Sequence, residues 1–165
     1  MTESFLLHDL ISKTASAKPE AAALTYGKAD LSYGELDAAV NRFASGLISL
    51  GLERGERVAI YLEKRFETVI ASFGTPAAGG VFVPLNPLLK AEQVGYILRD
   101  CNVRVLVTSP ERLALLQETL HECHDLRHVV VLDSAEAVGS IGALSICRWS
   151  DLLNQPLVAG HRVID

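Results

Sequence analysis

Seven polar residues fall where apolar strands would end: Glu63, Lys64, Asn86, Thr108, Ser109, Asp133 and Ser134. Carboxylate, ammonium, amide and hydroxyl groups are what a polar ligand needs, and in open parallel sheets ligands sit beyond the carboxyl ends of the strands. The same residue types also cap helices. Ser109 precedes Pro110, as an N-cap precedes a proline at the first helical position, and Asp133 with Glu136 resembles another cap. A second group, HECHDLRH, offers His121, Cys123, His124 and His128, and imidazole with thiolate is a zinc-type donor set. Its spacing matches no standard finger. His128 opens a strand while the others end a helix, where histidines suit the negative end of the dipole. Gly74, Gly79 and Gly80 come without Gly-Lys-Ser/Thr or a Gly-x-Gly-x-x-Gly run, so they read as close helix-to-strand packing rather than a phosphate cradle. No Ser, His and Asp stand in an order that singles out a nucleophile. The sequence therefore assigns no catalytic residue and no metal ligand, and cofactor contacts stay open.

The elements that would position these groups follow from periodicity. An amphipathic helix is predicted over Ser4 to Ala17, with Phe5, Leu7, Leu10 and Ile11 as its apolar members. Ala22 to Tyr26 and Leu31 to Tyr33, separated by GKAD, read as a hairpin. Ser32-x-x-Glu35 is a capping box that opens the clearest helix, in which Leu36, Val40, Phe43, Leu47 and Leu50 alternate four- and three-residue steps up to Gly51. Thereafter strands and helices alternate. Strands are predicted at Arg57 to Tyr61, Val81 to Val83, Arg104 to Val107 and His128 to Leu132, with helices at Phe66 to Ala78, Ala91 to Asp100 and Glu111 to His121. Such alternation implies right-handed crossovers and an α/β fold: a mainly parallel, doubly wound sheet with helices on both faces and a short N-terminal hairpin. From Ser134 the period weakens, although Trp149, Leu152 and Leu153 fit a last short helix.

Composition narrows the functional classes. The chain has 165 residues and a net charge of -5, room for one core and no basic footprint for nucleic acid. Cys101, Cys123 and Cys147 are odd in number and far apart, which suits free thiols in the cytoplasm. Glu3, His8, Asp9 and Lys13 interrupt any signal-peptide pattern. The uncharged stretch from Thr68 to Leu89 carries Gly74, Pro76, Gly79, Gly80, Pro84 and Pro87, too many breakers for a membrane span. Apolar residues make up 49% and mean hydropathy is +0.25, so self-association through exposed apolar surface is expected.

Two segments carry a family resemblance. LSYGEL, Leu31 to Leu36, followed by FGTPAAGGVFVPLNP, Phe73 to Pro87, resembles the first two core motifs of the AMP-forming adenylate enzymes: acyl-CoA synthetases, aryl-CoA ligases, luciferases and peptide-synthetase adenylation domains. The likeness extends over Ala23 to Leu62 and Leu89 to Glu111. With Asn86 where adenylation domains more often carry aspartate, VPLNP is more similar to the acyl-CoA ligases. The resemblance implies that residues 1–153 form a partial N-terminal domain of an AMP-dependent synthetase or ligase, with 154–165 a linker-like tail before the phosphate-binding loop. It also implies ATP, magnesium, CoA and a carboxylic acid for the complete enzyme. The Ser/Thr/Gly-rich loop ending Pro-Lys-Gly, the Tyr-Gly-x-Thr-Glu motif and the lid lysine do not occur in these residues. The segment alone is therefore expected to be inactive and to need no cofactor. The alternative is a stand-alone flavodoxin-like binding or interaction module using the strand ends. A phosphoryl-acceptor version of it fails, because the first parallel strand runs into YLEK rather than paired acids.

Overall fold

The computed structural model describes residues 6–132 and 139–158. Helix α1 (Asp9–Ala17) starts later than the periodicity suggested, with the Asp9 carboxylate accepting the Leu6 N–H at 3.1 Å. It buries Ile11 and Ala15, whereas Leu7 and Leu10 face solvent; Phe5 lies outside the described residues. Strands β1 (Ala22–Tyr26) and β2 (Ala29–Ser32) form a separate antiparallel hairpin. Tyr26 pairs with Ala29, so the turn is only Gly27-Lys28, and Gly27 takes φ +65°, a left-handed value that glycine adopts without strain.

Helix α2 (Tyr33–Ser49) opens on the capping box: the Glu35 N–H donates to Ser32 Oγ at 3.2 Å and the Ser32 N–H to Glu35 Oε2 at 2.8 Å. Leu36, Val40, Phe43 and Leu47 are buried as their spacing requires, and Leu50 is the C-cap. Each such side chain removed from water contributes about 1.5–3 kcal/mol.

The main sheet comprises β3 (Arg57–Tyr61), β4 (Val81–Pro84), β5 (Val103–Thr108), β6 (His128–Val131), β7 (Gly139–Ile141) and β8 (Leu144–Arg148), in the order β4-β3-β5-β6-β8-β7. All pairs are parallel except β7 with β8. Helices α3 (Phe66–Ala77), α4 (Ala91–Asp100), α5 (Pro110–Leu120) and α6 (Trp149–Leu153) complete the chain. One core layer joins α2, α3 and α6 to Val58, Ile60, Val105 and Val130. The other joins α4 and α5 to Ala59, Tyr61, Leu106 and Val129, so the sheet is covered on both faces.

Two features depart from the sequence reading. β4 is an edge strand, with Val81 50% exposed rather than buried, and an edge position is what lets Pro84 close it without losing a ladder bond. The β7–β8 hairpin, absent from the periodicity, adds a fifth parallel strand and an antiparallel edge.

Gly74 and Gly80 pack closely, only Gly80 between helix and strand, whereas Gly79 takes φ +88°, the left-handed value of a turn. A Cβ on Gly74 would lie 2.6 Å from Phe43 Cδ1, so this glycine seats α3 on α2. On Gly80 it would lie 2.9 Å from Leu52 Cδ2 and 3.1 Å from the Glu56 carbonyl oxygen.

At the amino ends of the strands, Glu56 is nearly buried. It accepts from the Glu53 N–H at 3.0 Å and from Arg104 Nε at 2.9 Å, with Arg127 Nη1 at 3.6 Å. Arg104 also donates to Asp125, and Asn102 Nδ2 donates to the second Asp125 oxygen at 2.8 Å. Burial alone would raise the Glu56 carboxyl. The Glu53 N–H, Arg104 and Arg127 outweigh it and hold the group below the usual carboxylate range.

Candidate functional site

The chain leaves β3 toward α3 on one face and leaves β5 toward α5 on the other, although β3 and β5 are neighbours. That divergence makes their carboxyl ends the topological switch point, where ligands enter doubly wound sheets.

Tyr61, Leu62, Leu85, Thr108 and Ser109 are all buried. Thr108 Oγ1 donates to the Tyr61 carbonyl at 3.1 Å, tying the two strand ends together. Arg112, in the first turn of α5, reaches across: Nε donates to Glu63 Oε2 at 3.3 Å and Nη1 to the Pro87 carbonyl at 2.7 Å. Its guanidinium carbon lies 4.7 Å from the centre of the Tyr61 ring, a cation–π stack. Tyr61 Oη in turn donates to the Leu89 carbonyl at 2.7 Å. Glu63 is held below the ordinary carboxylate range by its own backbone N–H, with burial opposing and Arg112 and Arg65 assisting.

The candidates from the sequence divide accordingly. Glu63 and Thr108 belong to this cluster. Asn86 lies in the adjoining loop, but its Oδ1 is engaged by the Leu88 N–H at 2.9 Å. Lys64 points to solvent. Ser109 stands at the N-cap of α5 with Pro110 following, yet its hydroxyl makes no capping bond to the helix backbone. Asp133, Ser134 and Glu136 lie outside the described residues. Tyr61 and Arg112, which organise the cluster, were not among the sequence candidates. The signal available was an arginine one turn into the helix after β5, a place from which only a long cation spans neighbouring strand ends.

HECHDLRH does not converge. His121, Cys123 and His124 line a cleft of about 160 Å³ walled by Leu126, Ile141 and Leu144, while His128 opens β6 and is not part of that lining. Cys123 Sγ is buried, 3.6 Å from the Thr119 carbonyl, and burial raises its thiol above the ordinary range. Among the described residues no group of three His, Cys, Asp or Glu is placed to hold a metal ion. Nor is any described helix long and apolar enough to cross a membrane.

A doubly wound α/β domain, flavodoxin-like in strand order, is thus the class that fold and site define. The sequence model for "AMP-binding enzyme" matches residues 11–151, and the chain belongs to that family. It is 34% identical over 146 residues to N-(5-amino-5-carboxypentanoyl)-L-cysteinyl-D-valine synthase of Streptomyces clavuligerus, covering 85% of this chain and 18% of that protein. Tyrocidine synthase 3 of Brevibacillus parabrevis is 36% identical over 123 residues, 73% of this chain and 2% of the synthase. Among solved structures, the anthranilate CoA ligase AuaEII in complex with anthranoyl-AMP aligns over 98% of this chain and 31% of its own, with TM-score 0.81 and 25% identity. The coronafacic acid ligase from Pectobacterium brasiliense aligns with TM-score 0.88 over 98% of this chain and 32% of its own; at 20% identity this likeness concerns the fold alone. The chain spans less than a third of each of these proteins. The fold is that of the N-terminal domain of adenylate-forming enzymes.

Proposed function

We propose that this chain is the N-terminal part of an acyl-CoA ligase that activates a carboxylic acid with ATP and passes the acyl group to CoA. The observation that carries the reading is the second motif: Gly74 to Pro87 runs through α3, the glycine joint and β4 into the loop bearing Asn86. The anthranoyl-AMP bound to AuaEII supports acyl-adenylate chemistry for this fold. The residues present do not fit magnesium-ATP, since they offer neither a phosphate loop nor a metal-ligand group among the described residues. No step of the reaction is therefore routed through them. Isothermal calorimetry of the 165-residue chain with magnesium-ATP is expected to show no saturable heat, and a micromolar dissociation constant at unit stoichiometry would refute this.

A second reading, an amino-acid adenylation segment of a peptide synthetase, is favoured by the 34% and 36% identities to such synthases. The coding sequence past codon 165 decides between them. A full-length protein that, with ATP, converts free carboxylic acids to adenylates that hydroxylamine traps as hydroxamates, and that consumes CoA, fits the ligase; one that accepts only amino acids and continues into a carrier domain fits the synthetase.

The three free cysteines support a reducing cytoplasm. Exposed Leu10, Tyr26, Val81, Leu88, Tyr96 and Leu115 support self-association of the chain when it stands alone. Light scattering coupled to size exclusion is expected to give a dimer or higher mass, and a monomer mass at all concentrations would overturn that expectation.

A further inference from the structure

The loop from Leu85 to Lys90 joins β4 to α4 across the strand ends of the switch point. Ligands of open α/β sheets bind beside loops at such positions, and loops are the more mobile parts of a fold. This one is tied at both ends by side chains from other elements. The Pro87 carbonyl accepts from Arg112 of α5 at 2.7 Å, and the Leu89 carbonyl accepts from the Tyr61 hydroxyl of β3 at 2.7 Å. Between these two anchors stands Leu88, 87% exposed, its N–H held by Asn86 Oδ1. Leu85 N–H donates to the Ile60 carbonyl at 2.9 Å, and Lys90 N–H donates to Gln93 Oε1 at 3.0 Å, so the loop is fixed where it enters and where it leaves.

We infer that Arg112 and Tyr61 are positioning residues that lock residues 85–90 as a rigid strap beside the switch point, with Leu88 facing outward. Arg112 is suited to the task because its planar fork engages Glu63 and Pro87 at once while its face lies on Tyr61; an ammonium reaches one of these and stacks poorly. The inference rests on the adenylation reading only for what the strap serves. Its rigidity is measured without ATP or substrate, so the two claims fail separately.

Amide hydrogen exchange on the 165-residue chain provides the test. Arg112→Met is expected to speed exchange at Leu88, Leu89 and Lys90 roughly ten-fold or more, while the core of β5 and β6 keeps its protection. Arg112→Lys is expected not to restore the wild-type rate. Tyr61→Phe, which removes one hydroxyl and leaves the packing, is expected to raise exchange at Leu89 and Lys90 and serves if Arg112→Met does not fold. Leu88→Ser is expected to leave protection at Leu89 and Lys90 unchanged once the altered intrinsic rates are corrected for. Unchanged loop exchange in Arg112→Met or Tyr61→Phe, an equal rise across the whole sheet, or full rescue by lysine would each overturn the inference.

Discussion

The same parallel strands end in two arginine–carboxylate clusters of different construction. At the amino ends, Glu56 is 11% exposed and its two oxygens meet a backbone N–H and two guanidinium groups, so each element of the cluster answers a buried charge. At the carboxyl ends, the Glu63 side chain is 45% exposed, and the arginine beside it spends its shorter bond on a loop carbonyl. The first cluster fastens the sheet; the second fastens a loop to the sheet. A charge pair's contribution thus follows what its arginine holds and how far water is excluded, not the number of ion pairs.

Substitution at the two carboxylates breaks or sharpens this contrast most directly. Glu56→Ala is expected to destabilise by about 2 to 3 kcal/mol, because Arg104 and the Glu53 N–H lose their partner in a largely desolvated place. Glu63→Ala is expected to cost below about 1 kcal/mol, as exposed pairs do. Urea denaturation measures both, and equal costs would erase the distinction. Next in size is Gly80→Val at the amino end. Its added side chain meets Leu52, Thr75 and the Glu56 carbonyl at 2.9 to 3.1 Å, and overpacking of this kind costs about 1 to 3 kcal/mol. An unchanged urea midpoint would show that the joint yields.

The smallest effect is in acid. Glu56 and Glu63 are both shifted down in the folded state, so their contributions are present above the unfolded carboxylate value of about 4.3 and are lost as pH falls through the folded values. His128 acts earlier. Burial, only partly offset by the Leu50 backbone and reinforced by Arg127, lowers its folded value. Below about pH 6.5 the unfolded chain therefore takes up a proton that the native imidazole refuses, and stability begins to fall. Urea midpoints followed from neutral pH downward are expected to show this early slope disappear in His128→Asn and the later one flatten more in Glu56→Gln than in Glu63→Gln.

The sequence and the structure agree most closely where local chemistry specifies an element by itself. The Ser32–Glu35 box and the Leu36–Leu47 stripe define α2 without reference to the rest of the chain, and apolar runs such as Val129–Val131 mark strands covered on both faces. Agreement is lost where the determinant is a neighbour in space. Val81 looks like a core residue until strand order places it at an edge, and Gly-Ser-Ile is too short to read as a strand until β8 pairs with it. The switch-point cluster was half legible. Glu63 and Thr108 follow from the strand ends, but Arg112 and Tyr61 acquire their roles only when α5, β3 and the Leu85–Lys90 loop meet.

One contact also bears on the order in which the molecule is made. β4 and then β5 take their places beside β3, β6 beside β5, and β8 beside β6, so as the chain leaves the ribosome each parallel strand finds its partner already synthesised. The exception is the outer groove of α2. Gly46 leaves a space that Leu152 fills, and Phe43 stacks on Trp149 with ring centres 4.9 Å apart, so a helix finished early waits for five residues made well after it. During synthesis that groove is the sticky part of the nascent domain, and α6 is the piece that ends its exposure.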